Sequence, residues 1–213
     1  MIGLNLVKRF SAVVALLLIG SIGVPAQTDS QRPQLVISAE LLSQQYCANS
    51  PGMTTMQMRL RLRYTNAGAQ KIILYRGDDL FYQAKIRAVK VEVGARPYEI
   101  AVLNARYLEV ENEPVEQPSP NKLFIILQPG ASYETETTVG VGLVPPSATR
   151  DRHAIFEGEH TLQLVVSTWY RSPALAAKLR GQWQRKGFLW SLPVATAPII
   201  FRAERPESPP PCK

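Results

Sequence analysis

Residues 54–76 (TTMQMRLRLRYTNAGAQKIILYR) constrain the fold most, because apolar and polar side chains alternate there with a period of two. The apolar positions are Met56, Met58, Leu60, Leu62 and Tyr64, and the polar positions between them are Gln57, Arg59, Arg61 and Arg63. Successive side chains of a β-strand point to opposite faces, so the apolar set is expected to face a core and the arginines water. The turn residues Asn66-Ala67-Gly68 and the second β-rich run, residues 71–75, then predict a β-hairpin within one sheet.

The first 26 residues have the order of a secretory signal peptide. Lys8 and Arg9 precede an apolar stretch, and small residues follow it up to a predicted cleavage near Ala26 or Gln27. The apolar stretch, residues 11–24, is shorter than the ~20 residues that span a bilayer comfortably. Export to the periplasm or the extracellular space is therefore expected, and an uncleaved N-terminal membrane anchor is the alternative.

Composition favours a packed, mildly basic globular protein. Of the 213 residues, 46% are hydrophobic and 19% are charged, which excludes a disordered chain and allows one or at most two domains. Cleavage would remove two cations and no acidic residue, leaving 22 Lys and Arg against 17 Asp and Glu, a net charge of +5. A basic balance of this size permits attraction to anionic surfaces.

The chain has two cysteines, Cys47 and Cys212. An exported protein meets an oxidising compartment, so a Cys47–Cys212 disulfide is predicted, with two free thiols or an intermolecular bond as the alternatives. The bond would attach the proline-rich tail, residues 206–213, to the start of the domain. Closing so long a loop is worth about 4–5 kcal/mol in the chain-entropy model.

The rest of the pattern predicts an all-β fold with about nine strands. The expected strands are 34–43, 54–64, 71–75, 84–93, 98–103, 122–127, 132–141, 160–170 and 195–202. In 84–93 the phase flips at Ala88-Val89, which indicates a β-bulge or two short strands meeting at a bend. A short helical insertion is expected near 173–186, with Pro173 in its first turn. Without a repeat or interior linker, one β-sandwich domain is predicted over residues 33–205.

Three segments resemble the immunoglobulin-like modules of bacterial secreted proteins. They are YTNAGAQKIIL (64–74), LQPGASYETE (127–136) and FEGEHTLQLVV (156–166). The resemblance implies an Ig-like β-sandwich of a kind that binds, spaces or scaffolds. Cys47 and Cys212 lie near the ends of the domain, unlike the inter-sheet cysteine pair of antibody domains.

No constellation of catalytic residues is evident. His153, Glu157, Glu159 and His160 fall close together, but their spacing matches no metal motif, and two ordinary surface histidines are expected. The chain has no G-x-S-x-G nucleophile motif and no phosphate-binding glycine loop, and both cysteines are assigned to the disulfide. A non-enzymatic protein without metal or cofactor is therefore expected.

Two further motifs have ordinary structural explanations. Glu109, Glu111, Glu113 and Glu116 lack the pattern of a calcium loop and are expected to form a solvated acidic loop. The tripeptide 76–78 (RGD) matches an integrin ligand, but Gly and Asp also favour turns, so a turn is expected there.

Charge placement is the most distinctive feature. Residues 161–203 contain no Asp or Glu, yet they hold six cations and all three tryptophans of the chain. Basic residues with aromatics can bind polyanions, headgroups or glycans through charge and stacking. The predicted contact residues are Arg171, Lys178, Arg180, Trp183, Arg185, Lys186 and Trp190. The alternative is that the aromatics pack under the insertion while the cations are merely solvated.

The leading hypothesis is an exported, non-enzymatic interaction or structural module of the cell envelope. Its expected partner is an envelope component or a protein; an anionic partner fits the basic insertion, and so does a membrane surface. Nucleic acid is not expected, since an exported protein seldom meets it. The alternatives are an inhibitor of proteases or other hydrolases that presents loops 143–158 and 109–120, and a catalytic domain using His153 or His160. Pro198 predicts that the last strand lies at a sheet edge, where a missing N–H is tolerated.

Overall fold

The structure is a computed structural model that describes residues 33–50, 53–75, 81–89, 99–103, 118–120, 122–145, 154–167 and 173–212. The strands are β1 (Leu35–Ser50), β2 (Met53–Asn66), β3 (Ile72–Tyr75), β4 (Phe81–Ala88), β5 (Glu99–Leu103), β6 (Phe124–Leu127), β7 (Ser132–Leu143), β8 (Ala154–Ile155), β9 (Gly158–Ser167), β10 (Phe188–Leu189), β11 (Val194–Ala195) and β12 (Ile199–Ala203). One helix, α1 (Pro173–Trp183), lies between β9 and β10. The all-β class with a short helix is confirmed, but the described residues form twelve strands instead of about nine.

The strands form three sheets. The first has the order β1-β2-β7-β8, and the second has the order β10-β3-β6. The third has the order β11-β9-β4-β5, and β12 also pairs with β9. Most pairs are antiparallel, while β8 runs parallel to β7 and β10 runs parallel to β3.

The alternation in β2 sets the inner and outer faces of the first sheet. Its five apolar side chains, from Met56 to Tyr64, are all buried, and Arg59 and Arg63 are exposed on the other face, as predicted. On that outer face β2 lies between two strands that carry glutamates, so Arg59 pairs with Glu136 and Arg63 with Glu134. One face of the sheet is therefore apolar and the other is a charged, solvated surface.

The predicted hairpin is wrong, because its two strands belong to different sheets. β2 pairs with β1 and β7, whereas β3 pairs with β6 and β10. Asn66 makes the corner between the sheets: its Nδ2 donates to the carbonyl oxygens of Gln70 (2.7 Å) and Leu127 (3.1 Å). Its Oδ1 accepts from the Gly68 N–H at 3.1 Å. The turn chemistry was recognised correctly, but it directs the chain to another sheet instead of back along β2.

Several element boundaries also differ from expectation. β1 continues to Ser50, so residues 44–50 are not a loop; they pair with the start of β2. The irregular register positions lie within β1, at Leu41/Ser43 and Ala48/Ser50. β4 ends at Ala88, beside the predicted phase flip. Residues 90–93 of the predicted strand lie outside the described residues, so the bulge and the bend both remain predictions.

The last predicted strand is divided in two around Pro198. β11 and β12 flank this proline, and both pair with the same side of β9. They form an edge of the third sheet within the described residues, which confirms the edge prediction. Strand β6 is less buried than expected, since Ile126 is 40% exposed.

One face of each sheet contributes to a common hydrophobic core. The core includes Leu60 from the first sheet, Ile72 from the second and Leu164 from the third. A smaller cluster lies on the opposite face of the second sheet, where Ile73, Phe124 and Leu189 contact the helix. The second sheet is therefore covered on both faces, by the main core and by α1.

The predicted disulfide between Cys47 and Cys212 is present, with 4.8 Å between the Cα atoms. The tail reaches β1 as expected: the Ala48 N–H donates to the Pro210 carbonyl oxygen (2.7 Å), and the Cys212 N–H donates to the Ala48 carbonyl oxygen (3.1 Å). The residues just before the tail are also attached, since the Glu204 N–H donates to the Tyr46 hydroxyl. The proline-rich tail thus lies against the end of β1, an edge strand of the first sheet.

Some predictions fall outside the described residues. They are the signal peptide (1–26), the RGD tripeptide (76–78), the four glutamates of the acidic loop, and His153. No helix in the described part of the chain is long and apolar enough to cross a membrane.

Candidate functional site

The candidate site forms where two distant stretches of the chain meet. One is Gln70-Lys71, immediately before β3, and the other is the turn 184–187 that joins α1 to β10. The Phe188 N–H donates to the Lys71 carbonyl oxygen at 2.7 Å, and the Trp190 N–H donates to the Ile73 carbonyl oxygen at 3.0 Å. These two bonds fix the turn beside the start of β3.

Gly187 makes this close approach possible. A Cβ atom on Gly187 would lie 2.9 Å from the Lys71 carbonyl oxygen and 3.2 Å from Cγ1 of Ile73. The first distance is shorter than real Cβ contacts, and the φ of +156° is one that other residues rarely adopt. Glycine therefore allows the turn after α1 to lie directly against the backbone of β3.

The helix holds the other side of the turn. Ala176, Leu179 and Trp183 are spaced to share one helical face, and all three are buried against the second sheet. The Trp183 ring meets the Phe124 ring edge-on, with centroids 4.9 Å apart. Trp183 is 1% exposed, so its predicted role as a contact residue is wrong: it anchors the helix from beneath.

An open cleft of about 380 Å³ lies between the turn and the start of β3. We call it the basic cleft; its lining residues are Gln70, Lys71, Arg180, Gln184, Arg185, Lys186, Gly187 and Phe188. Four of these residues carry a positive charge and none carries a negative charge. Arg185 and Lys186, both predicted contact residues, are exposed in the turn.

Arg180 is oriented by its neighbours. Its Nε donates to the Leu189 carbonyl oxygen at 3.4 Å, and its Nη2 donates to Oγ of Ser191. Its guanidinium carbon lies 5.0 Å from the centroid of the Phe188 ring, which is cation–π distance. The guanidinium is thus positioned at the cleft before any ligand binds.

Pairing distinguishes the cleft cations from the arginines of the sheets. Five sheet arginines each meet a glutamate: Arg59 with Glu136, Arg61 with Glu40, Arg63 with Glu134, Arg87 with Glu99, and Arg202 with Glu204. In the described part of the chain, no carboxylate forms an ion pair with Lys71, Arg180, Arg185 or Lys186. The cleft therefore concentrates uncompensated positive charge.

Two further predicted contact residues, Lys178 and Trp190, do not line this cleft. Lys178 is exposed on α1, and Trp190 is half-buried, with its Nε1 donating to the Leu192 carbonyl oxygen at 2.8 Å. Arg171 lies outside the described residues. The structure adds Gln70, Lys71 and Gln184, which sequence reasoning missed. Lys71 is distant in sequence from the acid-free segment, and only the parallel pairing of β10 with β3 brings it there.

The described members of the predicted histidine and glutamate cluster, Glu157, Glu159 and His160, do not form a metal site. His160 is buried, contrary to the expectation of a surface histidine; it stacks on Phe201 with ring centroids 5.5 Å apart. Its Nδ1 lies 3.1 Å from the Gly158 carbonyl oxygen. Among the described residues, no group of three or more His, Cys, Asp or Glu is arranged to hold a metal ion.

Comparison with known proteins assigns no family. No protein-family model matches the chain, and no curated protein is significantly similar to it. Among solved structures, it is similar to a structural-genomics target from Bordetella pertussis described as an ApaA protein, at 12% identity and a TM-score of 0.34, over 83% of this chain and 98% of that one. A second structural-genomics target, SoR45, has 10% identity and a TM-score of 0.32, over 82% and 88% of the two chains. Similarity at this level establishes neither fold family nor function.

Proposed function

We propose that this chain is an exported, non-enzymatic interaction module of the cell envelope, built on an Ig-like β-sandwich, that binds an anionic surface or partner through the basic cleft. One observation carries the proposal: Lys71, Arg185 and Lys186 converge in an open cleft and have no carboxylate partner in the described part of the chain, whereas arginines on the sheets are paired. Backbone contacts hold these like charges together. Such an arrangement raises the local concentration of anions and speeds their association.

Export is supported by two independent features. The N-terminus has the residue order of a signal peptide, and the Cys47–Cys212 disulfide is a bond that persists in oxidising compartments. Both features fit a periplasmic or extracellular location, and an N-terminal anchor would keep the domain on the same side of the membrane.

The test is co-sedimentation of the chain from Gln27 to Lys213 with envelope fractions at low and high salt. We expect salt-sensitive binding that falls in the double variant Arg185→Gln/Lys186→Gln. The matched control is Arg59→Gln/Lys85→Gln, which removes the same charge from the outer faces of the sheets. Binding that is absent at any salt, or that falls equally in both variants, would overturn the proposal.

The inhibitor hypothesis remains a prediction. Its two loops lie mostly among residues that the structure does not describe, and no contact in the described part favours it. A stoichiometric complex with one member of a protease panel, unaffected by Arg185→Gln/Lys186→Gln, would favour the inhibitor over the envelope module.

A further inference from the structure

We infer that the basic cleft is a binding site for a phosphate group. This inference rests on the proposed function and narrows it from anionic partners in general to one chemical group. The argument uses the hydrogen-bonding capacity of the lining, the charge it must neutralise and the orientation of Arg180.

The lining offers many donors and few acceptors. Lysine and arginine side chains donate and cannot accept, and the amides of Gln70 and Gln184 add further donors. Among the described residues, no carboxylate or hydroxyl group lines the cleft. A ligand that satisfies these groups must therefore be rich in acceptor oxygens.

The charge in the cleft favours phosphate over carboxylate. A carboxylate brings one negative charge and two oxygens, whereas a phosphate monoester brings about −1.5 to −2 and three strong acceptor oxygens. Four cationic side chains around one cleft exceed what a single carboxylate can neutralise. A phosphate group can contact several of them from one position.

Arg180 presents a preoriented set of donors to the ligand. Two of its five N–H groups are already used, by Leu189 and Ser191, and the Phe188 ring restricts the guanidinium further. The three remaining donors lie in one plane and can hold two oxygens of either a carboxylate or a phosphate. Only the phosphate then keeps a third oxygen for a lysine of the cleft. Because this fork is held before binding, little side-chain entropy is lost when a ligand arrives.

The shape of the cleft allows the phosphate to belong to a larger molecule. At about 380 Å³ the cleft has the size of a small-molecule site, and it opens to solvent. A phosphate in the cleft can therefore carry a substituent that extends outward. A lipid headgroup and a free phosphate ion both present the required oxygens.

The experiment compares phosphate with carboxylate at equal surface charge. Vesicles of phosphatidylcholine containing phosphatidic acid are compared with vesicles containing oleate, matched by zeta potential, and inorganic phosphate is added as a competitor. We expect at least about tenfold tighter binding to the phosphatidic acid vesicles, the factor for one charge-assisted hydrogen bond. If inorganic phosphate displaces the protein from the phosphatidic acid vesicles, the site binds a free phosphate ion. If it does not, the site requires the lipid headgroup. Both outcomes support a phosphate site.

Two variants distinguish a preference for phosphate from general attraction to negative charge. Arg180→Lys keeps the charge and removes the fork that holds two oxygens while leaving the third to a lysine, so we expect it to reduce the preference for phosphatidic acid while still binding oleate vesicles. Lys186→Gln lies in the exposed turn and is expected to weaken binding to both vesicles, whereas Lys85→Gln is expected to change neither. Circular dichroism and the urea midpoint establish that each variant is folded.

Equal binding to both vesicles would overturn the phosphate inference and leave the anionic-surface function intact. Failure to bind either vesicle or phosphate would also overturn it, while co-sedimentation with envelope fractions decides the proposed function separately. An Arg180→Lys variant that retains the full preference would contradict the role assigned to the guanidinium.

Discussion

Two buried polar side chains of β2, Tyr64 and Asn66, differ in whether they have hydrogen-bond partners. Asn66 is fully buried, and its amide group has partners for both the oxygen and the nitrogen. Tyr64, two residues earlier on the same face, is buried with a hydroxyl that has no partner among the described residues. Burial and the nearby Tyr133 raise the pKa of the Tyr64 phenol, so it remains neutral. A buried hydroxyl without a partner costs free energy that its removal can recover.

Tyr64→Phe is therefore expected to raise the free energy of unfolding by about 1 kcal/mol, because it removes an unsatisfied buried group and keeps the ring. The matched control is Tyr82→Phe, in which the hydroxyl that donates to the Thr138 carbonyl oxygen at 2.6 Å is lost. That variant is expected to lose about 1 kcal/mol. Urea unfolding of both variants is the measurement, and a Tyr64→Phe variant as destabilised as Tyr82→Phe would contradict the expectation.

His160 makes stability depend on pH. Burial lowers the pKa of its imidazole below the usual 6.5, and this effect exceeds the opposing influence of the Gly158 carbonyl. The unfolded chain therefore binds more protons as the pH falls below about 6.5, and stability decreases in acid. Above that pH the imidazole is neutral in both the folded and the unfolded chain, so His160 no longer makes the stability change with pH.

His160→Phe is expected to reduce this dependence, because phenylalanine keeps a ring against Phe201 and cannot be protonated. The measurement is the difference in urea midpoint between pH 7.5 and pH 5 for the wild type and the variant. We expect the wild type to lose more stability on acidification. Equal losses would show that His160 does not contribute.

At the scale of elements, the helical insertion is held by the apolar cluster beneath α1 and by the close approach of Gly187 to β3. The position of the short helix was recognisable from its sequence, although Trp183 was not assigned to its buried face. The role of Gly187 was not, because nothing in its local sequence indicates that a backbone oxygen lies 2.9 Å from where its Cβ would be.

Gly187→Ala is expected to destabilise the protein by about 1–3 kcal/mol, because the backbone must shift away from Lys71 or adopt a strained conformation. The shift would also open the basic cleft and weaken binding there. Gly181→Ala is the control: its Cβ would meet nothing within 4 Å, and alanine is favoured over glycine in a helix by about 1 kcal/mol. If thermal unfolding and binding changed alike in the two variants, the close contact would not be important.

The wrong prediction of a β2–β3 hairpin shows what the pattern of one strand does not determine. Alternation in residues 54–64 predicted correctly which side chains of β2 are buried, because that depends on the strand's own pleat. The partner of β2 depends on where the chain goes after Asn66. That direction follows from hydrogen bonds to Gln70 and Leu127, which turn residues alone do not specify.

At the scale of the whole molecule, the tail and the disulfide close the longest loop of the chain. The cysteines are 165 positions apart, and the tail lies against β1 through backbone hydrogen bonds at Ala48. Proline cannot donate to a strand ladder, so the tail covers the end of an edge strand without offering a regular edge of its own.

Removing the bond with Cys47→Ser/Cys212→Ser is expected to lower the free energy of unfolding by about 4–5 kcal/mol, since the unfolded chain gains conformational freedom. The measurement is urea unfolding of the oxidised wild type and the variant, with reduced wild type as the control. The reduced protein should match the variant. A variant as stable as the oxidised protein would mean that the backbone contacts of the tail suffice.

The sequence by itself determined the all-β class, the buried faces of the strands, the short helix and the cysteine pairing. The strands and the helix follow from the periodicity of short segments. The disulfide follows from the presence of two cysteines in the whole chain. Only the tertiary structure decided that β2 and β3 part into two sheets, that Trp183 lies beneath the helix, and that Lys71 joins Arg185 and Lys186. The physical reason is that a strand's pattern states which face is buried, whereas its hydrogen-bonding partner is chosen by the packing of the whole chain.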